Sequence, residues 1–197
     1  MKAVMLDWAT MGPDLDVSEL TALLPDLQFF DDSTSEEVAE RIADAEIVLG
    51  NKAVISESLF EGAPQMRFIG LTATGTDVIN LEAARKHGVA VANIRAYCTQ
   101  SVVEHVFGCL LHLTHSLGPY ARDVRDGAWS QAENFCLITH PICELSSMTL
   151  GLVGYGELAR GVERIARAFN MEVLVAARPG SEDVPEGRVS FDEMLDR

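Results

Sequence analysis

The chain has 197 residues, with 30 acidic and 15 basic side chains and a formal net charge of −15 at pH 7. Because no basic stripe is available to release counterions, this balance argues against nucleic acid as a partner. The four cysteines form neither a C-x-x-C pair nor a zinc spacing, so no metal site is predicted and free thiols are expected. In the N-terminal MKAVMLDWAT the apolar run is too short for a signal peptide and is soon interrupted by an acidic residue, so a cytoplasmic location is expected.

The first 98 residues alternate short apolar runs with amphipathic segments. Runs at 3–6, 27–30, 47–49, 68–71 and 89–92 predict five strands. Helix signals stand between them, among them the capping box Thr34-Ser-Glu-Glu37 and the cap Asn80 before a segment that ends at Gly88. Strands that alternate with helices predict a parallel sheet covered on both faces, here an α/β domain of flavodoxin-like type.

A long helix is predicted from Thr99 to the Gly118-Pro119 pair, which bends or ends it. Its apolar side carries Val102, Val103, Val106, Leu110, Leu113 and Leu117. Cys109 falls on this helix and is expected to pack as a small core residue. Charged and histidine residues interrupt the apolar run, which predicts a buried helix and no membrane span. The following segment, 127–147, is irregular and is predicted to be an arm that packs on something, with a second subunit as one candidate.

The stretch 149–179 carries the strongest functional signal. An apolar run at 150–153, predicted to be a strand buried on both faces, precedes Gly154, Gly156 and Ala159, which match G-x-G-x-x-A. An amphipathic segment and a second apolar run at 173–177 complete a βαβ pattern. In that frame Gly154 permits a tight turn and Gly156 lets a pyrophosphate approach the backbone. The stretch therefore predicts a dinucleotide site at a helix N-terminus, with a purely structural glycine turn as the alternative.

The residues after the second strand of this pattern indicate which dinucleotide is bound. An NAD site usually has an acidic residue at that strand end, about 20 residues after the glycines. No acidic residue lies between 173 and 180, and Arg178 follows the strand directly. Because an arginine can pair with a 2′-phosphate, NADP(H) is the favoured cofactor and NAD(H) the second choice. The alternative for Arg178 is a solvated loop residue.

The predicted arrangement is typical of a two-domain dehydrogenase. Residues 1–98 form the substrate domain, and residues 99–197 form a linking or dimer helix, an arm and the first half of a Rossmann domain. In such enzymes the substrate lies between the two sheets, at the carboxyl ends of the strands. The segment 72–77 follows the fourth strand at such an end, where its backbone N–H groups are suited to form a nest for a carboxylate.

Several segments together resemble a known family. They are GNKAVIS, FIGLTATGTDVINLEAARKHGVAVAN, YCTQSVVEH, GAWS and LGLVGYGELARGVERIARAF, and they are spread over nearly the whole chain. These segments resemble the D-isomer-specific 2-hydroxyacid dehydrogenases, most closely the bacterial glycerate dehydrogenase and hydroxypyruvate reductase branch. The resemblance implies that backbone N–H groups of Thr74 and Gly75 hold the substrate carboxylate and that Lys52 faces the same cleft. A solvated lysine at a strand end is an equal alternative for Lys52.

The resemblance also assigns the cofactor contacts. It implies that Ser101 and Val102 border the nicotinamide and that Arg178 lies near the adenosine ribose. The residues along the pyrophosphate are then Gly154, Gly156, Glu157 and Leu158. The implied activity is NAD(P)-dependent reduction of hydroxypyruvate or glyoxylate. Independently of the resemblance, the long hydrophobic helix and the arm are suited to a homodimer.

No catalytic residue is assigned. The family's carbonyl-polarising Arg, its proton-donating His and the Glu that orients this His lie beyond the first half of the cofactor domain, and this chain stops at Arg197. A C-terminally truncated form that is inactive alone is therefore expected. His105, His112 and His115 are expected to pack in a core or interface. His140 is not taken as the proton donor, because it precedes Pro141 whereas the family's donor follows a proline. Two alternatives remain open: a non-catalytic, dimeric dinucleotide-binding protein or fragment, and a flavodoxin-like domain that binds no nucleotide.

Overall fold

The computed structural model describes residues 1–181 and 183–197, and their contacts divide the chain into two units, Met1–Ala96 and Tyr97–Arg197. The first unit contains the strands β1 (Ala3–Met5), β2 (Leu27–Phe29), β3 (Ile47–Gly50), β4 (Phe68–Leu71) and β5 (Ala90–Asn93). Its helices are α1 (Ser18–Leu23), α2 (Ser35–Ile42), α3 (Glu57–Gly62) and α4 (Leu81–Lys86).

The first unit has one parallel sheet with the strand order β2-β1-β3-β4-β5. This is the flavodoxin-like order, in which the chain adds strands first on one side of β1 and then on the other. Its core is fully buried and apolar, and includes Val4, Val48 and Ile69 on neighbouring strands. The predicted α/β class and flavodoxin-like topology are therefore confirmed.

Local signals place the helix starts of this unit. The Thr34 hydroxyl accepts from the Glu37 N–H while the Glu37 carboxylate accepts from the Thr34 N–H, so the predicted capping box is present. The Asn80 side chain caps α4, and Gly88 follows that helix with φ +73°. The helix α3 was not predicted, because only Leu59 and Phe60 are large and apolar within its six residues.

The second unit contains β6 (Thr149–Val153) and β7 (Glu172–Ala176), which pair in parallel. Its helices are α5 (Thr99–Thr114), α6 (Leu117–Arg125), α7 (Ala128–Gln131), α8 (Glu157–Ala168) and α9 (Phe191–Asp196). The order β6, α8, β7 is the predicted βαβ unit. A core forms where α5 packs against α8 and β6, with Val103, Phe107, Val162 and Ala166 buried. Among the described residues, no helix is both long and apolar enough to cross a membrane.

Two predictions about burial in this unit are wrong. The strand β6 is not buried on both faces, because it lies in a two-stranded sheet and Val153 is 61% exposed. The long helix is covered on one side only, so Cys109 is exposed and Leu113 is 74% exposed. His105 and His112 are exposed as well, which excludes core packing for them within this unit. The helix also breaks earlier than predicted, at Ser116 with φ +50°, so Gly118 and Pro119 lie in the first turn of α6.

The segment 127–147 forms the predicted arm, with α7 near its start. The arm is tied to α6, because His140 Nε2 lies 2.9 Å from Asp123 Oδ2 and the Tyr120 hydroxyl donates to the His140 carbonyl at 2.8 Å. Thr139 also donates to Asp123, and this hydrogen bond holds the pKa of the Asp123 carboxyl below its usual value. Phe135, in the middle of the arm, is 94% exposed.

Candidate cofactor and substrate sites

The glycine loop joins the carboxyl end of β6 to the start of α8. Gly154 has φ +87°, the left-handed region that favours glycine, and Gly156 is the N-cap of the helix with φ −81°. A Cβ placed on either residue would meet no heavy atom within 4 Å. Both glycines are exposed, and the N–H groups of the first turn of a helix have no partners within that helix. The loop therefore offers an open anion-binding position at the N-terminus of a twelve-residue helix.

The first turns of α5 and α8 adjoin at this loop. The Thr99 hydroxyl donates to Glu157 Oε1 at 2.5 Å. Ser101 lies in the same turn of α5, is exposed, and donates to the Cys98 carbonyl at 3.0 Å. Val102 is half-buried and Leu158 is exposed. Four of the residues assigned to the cofactor are thus grouped around the helix starts: Ser101, Val102, Glu157 and Leu158.

Arg178 leaves the sheet at the same edge as the glycine loop. Val153 pairs with Ala176, so the residues that follow these two strands leave the sheet side by side. Directly after β7, the Ala177 N–H donates to the Val189 carbonyl at 2.8 Å. Arg178 follows with an exposed side chain, and its carbonyl accepts from the Ser181 N–H at 3.0 Å.

A side-chain network that the sequence analysis missed surrounds Tyr155, the residue between the two glycines. The Tyr155 hydroxyl donates to the Glu163 carboxylate, and Arg167 donates to Glu163 Oε1 at 2.6 Å. The hydrogen bond to Glu163 raises the pKa of Tyr155, and the same bond, supported by Arg167, lowers the pKa of Glu163. The guanidinium groups of Arg160 and Arg188 each lie 5.9 Å from the centre of the Tyr155 ring.

In the first unit, Thr74 and Gly75 lie in the loop that follows β4. Among the described residues, neither N–H group donates to a protein acceptor. The carbonyl groups of this loop are used instead, because Asn93 Nδ2 donates to the Thr74 carbonyl at 2.8 Å. The loop is thus tied to β5 through its oxygens, while the N–H groups of the two exposed residues Thr74 and Gly75 keep no protein acceptor among the described residues. Asp77 limits the space beside them, since a Cβ on Gly75 would lie 2.8 Å from Asp77 Oδ1.

Lys52 leaves the same edge of this sheet. Gly50 pairs with Leu71 at the ends of β3 and β4, and the Thr72 N–H donates to the Gly50 carbonyl at 2.9 Å. Lys52 and Thr74 follow those strand ends within a few residues. The three residues assigned to the substrate, Lys52, Thr74 and Gly75, therefore all follow the carboxyl ends of the neighbouring strands β3 and β4.

The loop that carries Lys52 is fixed by a buried acid, Asp7, which the sequence analysis did not single out. Asp7 is 2% exposed and lies two residues after the end of β1. Its Oδ2 accepts from the N–H groups of Asn51, Lys52 and Ala53 at 2.9, 2.5 and 2.9 Å. Three backbone donors thus offset the cost of burying this charge. The signal in the sequence was an acidic residue directly after an apolar strand, but its partners lie about 45 residues away.

No group of three His, Cys, Asp or Glu side chains suited to a metal ion is found in the part of the chain that the structure describes. The geometry instead offers an open anion position at the glycine loop of the second unit and, in the first unit, a pair of backbone N–H groups at Thr74 and Gly75 with Asp77 beside them. Both lie at the carboxyl edge of a parallel sheet, where ligands of open α/β sheets bind.

A family model matches most of the chain. Residues 9–182 match the family described as D-isomer specific 2-hydroxyacid dehydrogenase, catalytic domain. A hydroxypyruvate reductase from Blautia hydrogenotrophica is 36% identical over 203 residues, which cover 99% of this chain and 62% of that protein. A glycerate dehydrogenase from Methylorubrum extorquens is 39% identical over 141 residues, covering 72% of this chain and 45% of that protein. The chain thus spans about half of the length of these curated relatives.

A solved structure shows the same fold. The D-lactate dehydrogenase from Aquifex aeolicus, complexed with NAD and lactic acid, superposes with a TM-score of 0.72 at 27% identity. The match covers 98% of this chain and 57% of the dehydrogenase. The predicted pairing of a flavodoxin-like domain with the first part of a Rossmann domain agrees with this likeness.

Proposed function

Because the chain belongs to the D-isomer-specific 2-hydroxyacid dehydrogenase family, we propose that it binds the substrate carboxylate and the dinucleotide of an NAD(P)-dependent D-2-hydroxyacid dehydrogenase. The observation that carries the proposal is the open glycine loop, Gly154 to Gly156, at the N-terminus of α8 within a βαβ unit. When bound, the nicotinamide supplies the hydride, and the protein supplies binding, orientation and electrostatics. No residue of this chain is assigned a proton transfer.

The proposed substrate is a small 2-keto acid, hydroxypyruvate or glyoxylate, which is reduced to the D-hydroxyacid. The similarity to a hydroxypyruvate reductase and to a glycerate dehydrogenase supports this class. The exposed N–H groups of Thr74 and Gly75 would hold the substrate carboxylate by charge-assisted hydrogen bonds. Lys52, at the same sheet edge, would add a positive charge and orient the acid.

The proposed cofactor is NADP(H), with NAD(H) as the second choice. Gly154 and Gly156 leave room for a pyrophosphate, because added Cβ atoms there meet nothing. Glu157 and Leu158 would lie along the same pyrophosphate, and Ser101 and Val102 would border the nicotinamide. Arg178 would lie near the adenosine ribose. No acidic residue stands between 173 and 180 to accept the ribose hydroxyls or to repel a 2′-phosphate.

We further propose that the protein is a cytoplasmic homodimer. The exposed face of α5 and the arm carry large apolar side chains, among them Leu113 and Phe135. A second copy of the chain that covers these residues would remove them from water and gain the corresponding free energy.

The test of the proposed function is an activity assay on the natural gene product. NADPH and NADH oxidation is followed at 340 nm with hydroxypyruvate, with glyoxylate and without substrate. Substrate-dependent oxidation that favours NADPH is expected. Dinucleotide binding without turnover on either acid would favour the non-catalytic alternative, and the absence of both binding and turnover would contradict the proposal.

A further inference from the structure

The side-chain network around Tyr155 lies outside the contacts assigned so far. Tyr155 stands between two glycines, and its carbonyl accepts from Arg160 Nη1 at 3.1 Å. Its hydroxyl donates to the Glu163 carboxylate in the second turn of α8. Backbone and side chain of Tyr155 are therefore both fixed to the helix whose first turn offers the anion position.

The glycine loop needs such an anchor. Glycine loses more conformational freedom on ordering than any other residue, so a G-x-G loop without further contacts samples many conformations. Of its three residues, Gly154, Tyr155 and Gly156, only the tyrosine has a side chain that can restrict this freedom. A loop that is ordered before binding gives a tighter complex, because no further conformational entropy is lost when the ligand binds.

Arg167 holds the Glu163 carboxylate in place to accept the hydrogen bond from Tyr155. Arg167 donates to Glu163 Oε1 through Nε at 3.0 Å and through Nη2 at 2.6 Å. The other oxygen, Oε2, accepts from the Tyr155 hydroxyl. Glu163 is largely buried, with 15% of its side chain exposed, which protects the bond from water. The hydrogen bond between the two side chains lowers the pKa of Glu163 and raises the pKa of Tyr155, which favours the carboxylate and the neutral phenol that the bond requires.

We propose that Tyr155 is a positioning residue for the dinucleotide: through its bond to Glu163, it orders the glycine loop in the conformation that receives the pyrophosphate. The inference rests on the proposed function. It adds to it a determinant of affinity that does not itself contact the ligand.

The experiment compares two Tyr→Phe variants of the 197-residue chain. Tyr155→Phe deletes the hydroxyl bonded to Glu163, and Tyr120→Phe deletes a hydroxyl that donates to the His140 carbonyl at 2.8 Å. Calorimetric Kd values are measured for NADPH and for ADP-ribose, which contains the pyrophosphate and lacks the nicotinamide. Tyr155→Phe is expected to weaken both by about fivefold, the effect of one hydrogen bond, while Tyr120→Phe leaves both unchanged.

Three further measurements separate positioning from general stability. Glu163→Gln keeps an oxygen that can accept the hydroxyl and is expected to retain most of the affinity, whereas Glu163→Ala should match Tyr155→Phe. The double variant Tyr155→Phe/Glu163→Ala should bind as weakly as either single one, because one interaction is lost in each case. In a pH titration followed by the ultraviolet absorbance of tyrosinate, the pKa of Tyr155 should be lower in Glu163→Ala than in the unsubstituted chain, because the hydrogen bond that raises it is lost.

The outcomes distinguish the two levels of the account. If the unsubstituted chain binds NADPH and Tyr155→Phe binds it equally well, the positioning role is wrong and the proposed function stands. If the unsubstituted chain binds neither NADPH nor ADP-ribose, the proposed function is wrong and the positioning role with it. An equal loss in Tyr155→Phe and Tyr120→Phe would show a general effect of deleting a hydroxyl and would also overturn the inference.

Discussion

The two glycines of the loop have different physical reasons to be glycine. Gly154 has φ +87°, where a side chain costs about 1–2 kcal/mol, so Gly154→Ala is expected to lower the free energy of unfolding by that amount. Gly156 has φ −81° and open space around it. Gly156→Ala should therefore change stability by no more than about 1 kcal/mol, the effect of a poorer N-cap. The Cβ that this variant adds at position 156 would instead occupy the space proposed for the pyrophosphate. The substitution should therefore raise the Kd for NADPH by at least about tenfold.

Urea unfolding and calorimetric NADPH binding of both variants test this distinction. At Gly156, the affinity for NADPH should fall while the free energy of unfolding changes little. A Gly156→Ala variant that binds NADPH as tightly as the unsubstituted chain would contradict the assignment of this residue to the pyrophosphate.

Arg178 carries the proposed preference for NADP(H). Arg178→Asp replaces a potential partner of the 2′-phosphate by a negative charge. Affinity for NADPH should fall by about 1.5–3 kcal/mol more than affinity for NADH, as for a charge-assisted contact. Parallel calorimetric titrations with the two cofactors measure the difference. Equal losses of affinity for NADPH and NADH would show that Arg178 is a solvated loop residue. They would contradict its proposed role in the preference for NADP(H).

At the residue scale, the sequence predicted what depends on near neighbours. Gly154, Gly156, the Thr34 capping box and the Asn80 cap all act within a few residues of the chain, so their spacing alone identifies them. Asp7 was missed because its three N–H partners follow a strand about 45 residues away. The bond from Tyr155 to Glu163 spans eight residues and joins a loop to a helix, a combination for which no periodic pattern exists.

At the scale of elements, the close packing of α5 on α8 depends on Gly161. A Cβ on Gly161 would lie 2.8 Å from Val103 Cγ2 and 3.2 Å from Thr99 Cγ2. Valine has one strongly preferred rotamer in a helix and cannot turn away cheaply. Gly161→Ala should therefore destabilise the chain by about 1–3 kcal/mol, although alanine favours the helix by itself by up to about 1 kcal/mol.

The matched control for Gly161 removes the nearer of the two obstructing methyl groups, Val103 Cγ2. In a Val103→Ala background the same Gly161→Ala change should cost much less or stabilise, which a double-mutant cycle of urea unfolding measures. An equal cost in both backgrounds would contradict the close approach of the two helices at this point.

From the sequence, the presence of a helix or strand could be predicted more reliably than the burial of its apolar face. The periodicity of α5 defines an apolar stripe, and Val103 and Phe107 on it are buried against α8. The same pattern also counted Leu113, which no other described element of the unit buries. Periodicity reports that a face is apolar, and only the tertiary arrangement decides how far along a helix the cover extends.

At the scale of the whole molecule, the exposed part of α5 bears on the proposed dimer. Leu113→Glu should convert the dimer to monomers of 21.4 kDa in sedimentation experiments, because a charge would be buried in the interface. Leu23→Glu is the control, since Leu23 on α1 in the other unit is exposed to the same degree, 76% against 74%. A chain that is monomeric at all concentrations, or equal effects of both changes, would contradict this interface.

The central claim is that residues 149–178 bind a nicotinamide dinucleotide. The most direct test is a calorimetric titration of the 197-residue chain with NADPH and with NADH. The account predicts saturable binding of one dinucleotide per chain, with NADPH bound more tightly than NADH. Absence of binding of both cofactors would contradict it.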